Sequence, residues 1–171
     1  LALRPPRSRP GIEEARDRRP ARLAGAVPRG VSPQVPPQQP VPVADDDGGS
    51  ELAEWLAAAG VKTKLGGAPA AGTISFVTPL GEDASNAAVR LKLDPARTVA
   101  VDMLGRFNGR RTVMKTPLTT PETLGAAIAA LSAGGSAVTA INDSAGFVVQ
   151  RLLAMIVNVG TRIAELRIAA P

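Results

Sequence analysis

The 171-residue sequence contains no cysteine and no histidine, and aromatic residues make up only 2% of it. Without cysteine there is no disulfide framework and no thiolate chemistry. Without histidine the commonest general base and the commonest transition-metal ligand are missing, which excludes a Ser–His–Asp triad and any histidine-bearing zinc site. No metal site is expected. With so few rings, a core has to be assembled from Ala, Val, Leu and Ile, which bury less area per residue. Long apolar runs are also lacking: the stretch from Phe147 to Ile168 is interrupted by Gln150, Arg151, Asn158, Arg162 and Glu165, so no membrane span is expected. The N-terminus shows no continuous apolar segment of the secretory kind, and a cytoplasmic location is the default expectation.

The formal charge of +5 is unevenly placed. Residues 1–43 carry eight arginines and three acids, whereas residues 44–171 carry twelve basic and twelve acidic residues. The first 43 residues also hold ten of the sixteen prolines. Proline fixes φ and removes a donor, which opposes helix and central strand. Residues 1–49 are therefore expected to form a disordered, Pro/Arg-rich tail. Its arginines could meet phosphates, and VSPQVPPQQPVP could enter an aromatic groove. The absence of interleaved aromatics argues against nucleic acid as the partner. Arg, Pro, Ala and Gly make up 26 of the 43 residues, all with GC-rich codons, so an out-of-frame reading is a further alternative.

From residue 50 the pattern becomes regular. Ser50 is a candidate N-cap for ELAEWLAAAG, whose Leu52, Trp55, Leu56 and Ala59 share one helical face before Gly60 stops it. TISFVTP (73–79), TVAVDML (98–104), TVMKTP (112–117) and SAVTAIN (136–142) read as strands. GEDASNAAVRLKL reads as a helix with acids in its first turn, and TPETLGAAIAALSAGG as one with Thr120 as N-cap, Pro121 at the first position and Gly134 as its stop. Strands spaced by helices predict an α/β layer with a parallel sheet covered on both faces over residues 50–142. Residues 143–171 then open a longer helix. Asp143 and Ser144 offer acceptors for its first amides, and Ala145-Gly146 leaves room for close approach by a backbone or a ligand.

The order strand, DSAGFVVQRLL, long helix resembles the junction between the two domains of the 3-hydroxyacyl-CoA dehydrogenase family, whose usual form is Asp-Ser-Pro-Gly-Phe-Val-x-Asn-Arg. Asp143, Ser144, Gly146, Phe147, Val148 and Arg151 match it. TISFVTPLGED and DPARTVAVDMLGRF resemble two preceding strands of that family, and the resemblance runs over about residues 50–171. It implies a partial Rossmann-like domain followed by the first helix of a helical domain, with NAD as cofactor and an acyl-CoA as substrate. Carried over position by position, Glu82 corresponds to an acid near the cofactor ribose, Gln150 to a substrate-contacting Asn, and Asp102 to the catalytic His.

The departures bear on activity. A carboxylate at 102 is a weak base for an alcohol. No acid stands near Val113–Lys115, where an orienting Glu is expected, so no catalytic residue is assigned. The GxGxxG phosphate turn does not follow any expected strand. GRFNGRR (105–111) has the composition for a phosphate but opens no helix, and reads more simply as a polar loop. Two readings follow: a 3-hydroxyacyl-CoA dehydrogenase-like protein of fatty-acid metabolism, weak or inactive as this chain, or a non-enzymatic module. Under both, helix 146–168 presents an apolar stripe to a second copy or to a missing helical domain.

Overall fold

The computed structural model describes residues 39–105 and 109–168. The chain runs β1 (Val41–Val43), α1 (Gly49–Ala58), β2 (Thr63–Leu65), β3 (Ser75–Val77), α2 (Ala84–Arg90), a single 3₁₀ turn (Pro95–Arg97), β4 (Thr98–Val101), β5 (Arg110–Lys115), α3 (Pro121–Ala133), β6 (Ala137–Asn142) and α4 (Val148–Glu165). The strands form one sheet in the order β2-β1-β3-β4-β5-β6. Every neighbouring pair is parallel except β4 with β5. This is the expected α/β layer with one departure. The connection from Asp102 to Gly109 is too short for the dozen or more residues of a parallel crossover, so the chain reverses into an antiparallel pair.

Alternate side chains of the strands enter two cores. Val41, Val43, Phe76, Val99, Val101, Val113 and Val138 face α1 and α3. Val77, Ala100 and Met114 face α2, where Phe147 of the hinge joins them. Burial on both faces explains the nearly continuous apolar runs of β3 and β4. Ala84, Ala87 and Ala88 are fully buried, which lets α2 lie close to the sheet without large side chains. Trp55 packs at the edge of the first core against Gly134, where an added Cβ would lie 2.5 Å from the ring, and the Arg111 guanidinium stacks 4.1 Å from the ring centroid. Its role is that of an anchor for α1.

Several local expectations change. Val41–Val43 lies in the segment expected to be tail, yet it forms an interior strand. Proline is tolerated because Val41 N and Gly66 N make the bonds to the β2 side, while pairing to β3 begins only at Val43, beyond the donor that Pro42 lacks. The rest of the expected tail, through residue 38, lies outside the described residues, as do Arg106, Phe107 and Asn108 of the GRFNGRR loop. Helix α1 starts at Gly49 with Gly48 as N-cap, not at Ser50. Gly49 is needed there, since a Cβ would fall 1.8 Å from the Ala44 carbonyl oxygen. Asp83 precedes α2 as its N-cap and accepts from Asn86 N, so the acids lie before the first turn rather than within it. Thr120 caps α3 by accepting from Thr123 N, with Pro121 at its start, as expected.

Helix α4 differs from the rest. Of its residues only Gln150 is buried. The helix touches the α/β body at its first turn and then continues with its apolar side chains exposed, Met155 at 57% and Ile156 at 56%. No helix among the described residues is long and apolar enough to cross a membrane.

Candidate functional site

In an open α/β sheet, ligands bind beyond the carboxyl ends of the strands, next to the point where strand order reverses. Here that region lies beyond β1 and β3, which leave in opposite directions across the sheet. Three segments converge on it: the acidic turn Asp45-Asp46-Asp47 after β1, the loop Thr78–Gly81 after β3, and the hinge Asp143–Gln150 after β6.

The acidic turn is bound to the β3 loop. Asp46 accepts from Thr78 N at 2.8 Å through Oδ2 and from the Thr78 hydroxyl through Oδ1. Thr78 Oγ1 in turn accepts from Gly48 N at 2.9 Å, and Asp47 Oδ2 accepts from Leu80 N at 2.9 Å. Burial pushes the Asp46 carboxyl above the ordinary carboxylate range, against the lowering effect of its two bonds from Thr78. The triplet fell within the segment expected to be tail, and the one signal for it was three acids directly before Gly48-Gly49.

The hinge is bound to the same loop from the other side. Gln150 Oε1 accepts from Gly81 N at 2.8 Å and from Phe147 N at 3.3 Å. Its amide nitrogen donates to the Pro79 carbonyl at 3.2 Å and to Asp102 Oδ1 at 3.4 Å. Leu104 N also donates to Asp102 Oδ1, at 3.1 Å. Both donors and both acceptor positions of the buried Gln150 amide are thereby used within the chain. The structure thus brings two sequence-derived candidates, Gln150 and Asp102, into contact with each other.

Glu82, the third, makes no hydrogen bond to this network. It receives Arg90 Nε and Nη2 on Oε2, the shorter contact at 2.7 Å, on the partly exposed flank of α2. A groove of about 440 Å³ lies between the β2–β3 crossover and the end of α2, lined by Pro42, Ala44, Gly67, Pro69 and Lys92 among others, and neither Glu82 nor Gln150 lines it.

The polar hinge caps a different helix from the one expected. Asp143 Oδ1 accepts from Ala84 N at 2.8 Å, and Oδ2 from the Ser85 hydroxyl, so its carboxylate serves the start of α2. Ser144 turns back to donate to the Gly146 carbonyl. Helix α4 begins after Phe147, with the Gln150 side chain reaching back to the Phe147 amide as half of a capping box. Asp143 is not the cap of α4, and between the two Gly146, at φ +70°, turns the chain. Gly146 also fits the expectation of close approach: a Cβ there would sit 3.3 Å from Gly81 Cα.

A dinucleotide would need unoccupied backbone amides and no negative charge at the turn after β1. The turn instead presents Asp46 and Asp47, and the nearby amides of Gly48, Thr78, Leu80 and Gly81 already donate within the chain. The residues present do not fit an NAD pyrophosphate at this position.

No protein-family model matches the chain, and no curated protein does. Solved structures do. A diketoreductase superposes with a TM-score of 0.55 at 17% identity over 78% of this chain and 46% of its own. The (S)-3-hydroxybutyryl-CoA dehydrogenase PaaH1 from Ralstonia eutropha gives 0.53 at 15% identity over 77% of this chain and 45% of its own. FadB2 of M. tuberculosis gives 0.51 at 16% identity over 77% of this chain and 46% of its own. At these identities the likeness establishes the fold: the α/β arrangement is that of 3-hydroxyacyl-CoA dehydrogenase-type structures. The chain spans less than half the length of each of these matched structures.

Proposed function

We propose that this chain is a 3-hydroxyacyl-CoA dehydrogenase-like module of NAD-linked acyl-CoA metabolism whose own contribution is assembly through α4 rather than hydride transfer. The observation that carries this reading is the saturation of the hinge. In the resemblance, the position of Gln150 contacts substrate and that of Asp102 holds the base. Here the two are bonded to each other, and the Gln150 amide is completed by Gly81, Phe147 and Pro79. The Gln150 amide is thus not left to meet an acyl-CoA. The acidic turn after β1 opposes a pyrophosphate electrostatically. By contrast, α4 displays an apolar stripe with no intramolecular cover among the described residues.

Titration of the chain with NADH, followed by energy transfer from Trp55, together with an acetoacetyl-CoA reduction assay, tests the reading. The expected result is no saturable NADH binding into the millimolar range and no turnover. Micromolar NADH binding or measurable reduction would overturn it.

A further inference from the structure

The connection from β2 to β3, residues 66–74, crosses β1 without a helix, while α2 packs on β3 and β4. A strip of the sheet face over β1 is therefore left to a loop of small residues, and the groove of about 440 Å³ lies there. Pro42 and Ala44 line it from β1, and Leu91 and Leu93 line it from the end of α2, where they continue the second core. Two polar side chains at one end have no partner among the described residues. Ser75 is 3% exposed, and its hydroxyl makes no hydrogen bond there. No side-chain oxygen among the described residues is both fully buried and unpaired, so this hydroxyl opens onto the space that Ser75 lines, which is the groove. Lys92, just past α2, makes no ion pair. Its φ of +54° is one that glycine adopts freely and lysine does not, so a cationic side chain stands where glycine would end the helix with less strain. Helix α2 returns the chain from β3 to the parallel β4, so its end lies with Ser75, the first residue of β3, near the amino ends of the strands. Asp45, after β1, lies at the opposite end of the groove.

We propose that this groove binds a short aliphatic carboxylate, with its headgroup on Ser75 and Lys92 and its chain along Pro42 and Ala44. A buried hydroxyl without a partner and an unpaired ammonium both donate to a carboxylate, and the ammonium supplies the opposite charge. Asp45 at the far end repels the headgroup and so sets the direction of binding. The apolar stretch between the two ends takes the methylenes out of water. From Pro42 to Asp45 the strand advances about 10 Å, the extended length of a chain of about eight carbons. The volume is at the small end of the range for small-molecule sites. This site is separate from the hinge. Neither Gln150 nor Asp102 lines it, and its anchoring end lies away from the carboxyl ends of the strands, where a dinucleotide would sit. The proposal stands independently of assembly through α4.

Ligand-detected NMR titration of the full chain with octanoate tests this, with 1-octanol as the uncharged control. Octanoate should saturate one site with a dissociation constant on the order of 0.1–1 mM, the range for a ligand of about ten heavy atoms. Ser75→Ala should weaken it about tenfold and Lys92→Gly about fivefold, from the loss of one charge-assisted hydrogen bond each. Both variants should stay folded, because the first deletes a single atom and the second relieves the left-handed φ. Octanol should bind at least about tenfold more weakly than octanoate. Ile156→Glu, on the exposed part of α4, should bind octanoate as the wild type does. No saturation by about 10 mM octanoate, or equal affinity for octanol, would overturn the proposal. Affinity unchanged in both Ser75→Ala and Lys92→Gly would also overturn it, and so would loss of binding in Ile156→Glu, which would put the ligand on α4.

Discussion

Replacement of Gln150 separates a structural amide from a substrate-binding one. The side chain is 8% exposed and makes four hydrogen bonds to the β3 loop, to the start of its own helix and to Asp102. One of these, from Gly81 N at 2.8 Å, is short; the other three lie between 3.2 and 3.4 Å and contribute less. Gln150→Ala leaves the Gly81 amide and the Pro79 carbonyl without that partner. A buried orphan costs roughly 1–3 kcal/mol, and water entering the space left by the side chain recovers part of it, so the expected loss is about 3 kcal/mol. Gln150→Glu keeps the acceptor but loses both donors, and it sets a second carboxylate against Asp102. It should be destabilised by a similar amount at neutral pH and recover on acidification, as protonation restores a donor. Urea unfolding at several pH values measures both effects. A loss below about 0.5 kcal/mol for Gln150→Ala, or no pH dependence for Gln150→Glu, would show that this amide does not hold the hinge.

Three further outcomes follow from the same contacts. Asp143→Ala should cost about 2 kcal/mol in unfolding free energy, since it strips two acceptor bonds from the start of α2, and Asp143→Asn about half of that. Gly146→Ala should cost roughly 2 kcal/mol by thermal or urea unfolding, from its φ of +70° and from crowding against Gly81 at 3.3 Å. Asp46, whose carboxyl is pushed up by burial, binds its proton more tightly in the folded chain than in the unfolded one. Its contribution is therefore fully present at low pH and is lost as pH rises from the ordinary carboxylate value through the raised one. Asp46→Asn should flatten that part of the stability–pH curve, and an unchanged slope would refute the assignment.

Much of this fold was legible in the residues because local chemistry and tertiary structure agree there. Thr120-Pro121 and Gly134 delimit α3 where capping rules place them. Strands β3, β4, β5 and β6 were likewise visible. What was missed had weak or contrary local signals. Pro42 argued against a strand that only its neighbours' bonding directions permit. Thr63-Lys64-Leu65 is an exposed edge of three residues with no apolar alternation to announce it. The antiparallel step at β5 follows from loop length rather than from strand composition. At the site, the resemblance singled out Gln150 and Asp102 in separate stretches and the hinge offered Asp143 as a cap, but their partners lie about fifty to seventy residues away in sequence. That distance is why Asp143 was assigned to α4 when it serves α2, and why Asp46 was overlooked.

The central claim, that α4 rather than a reaction centre is the working surface, is tested most directly by light scattering on the full chain across a micromolar concentration series, with Ile156→Glu alongside. The account predicts that the wild type moves from monomer to dimer over the series while the variant stays monomeric with unchanged unfolding. A wild type that remains monomeric throughout would contradict it.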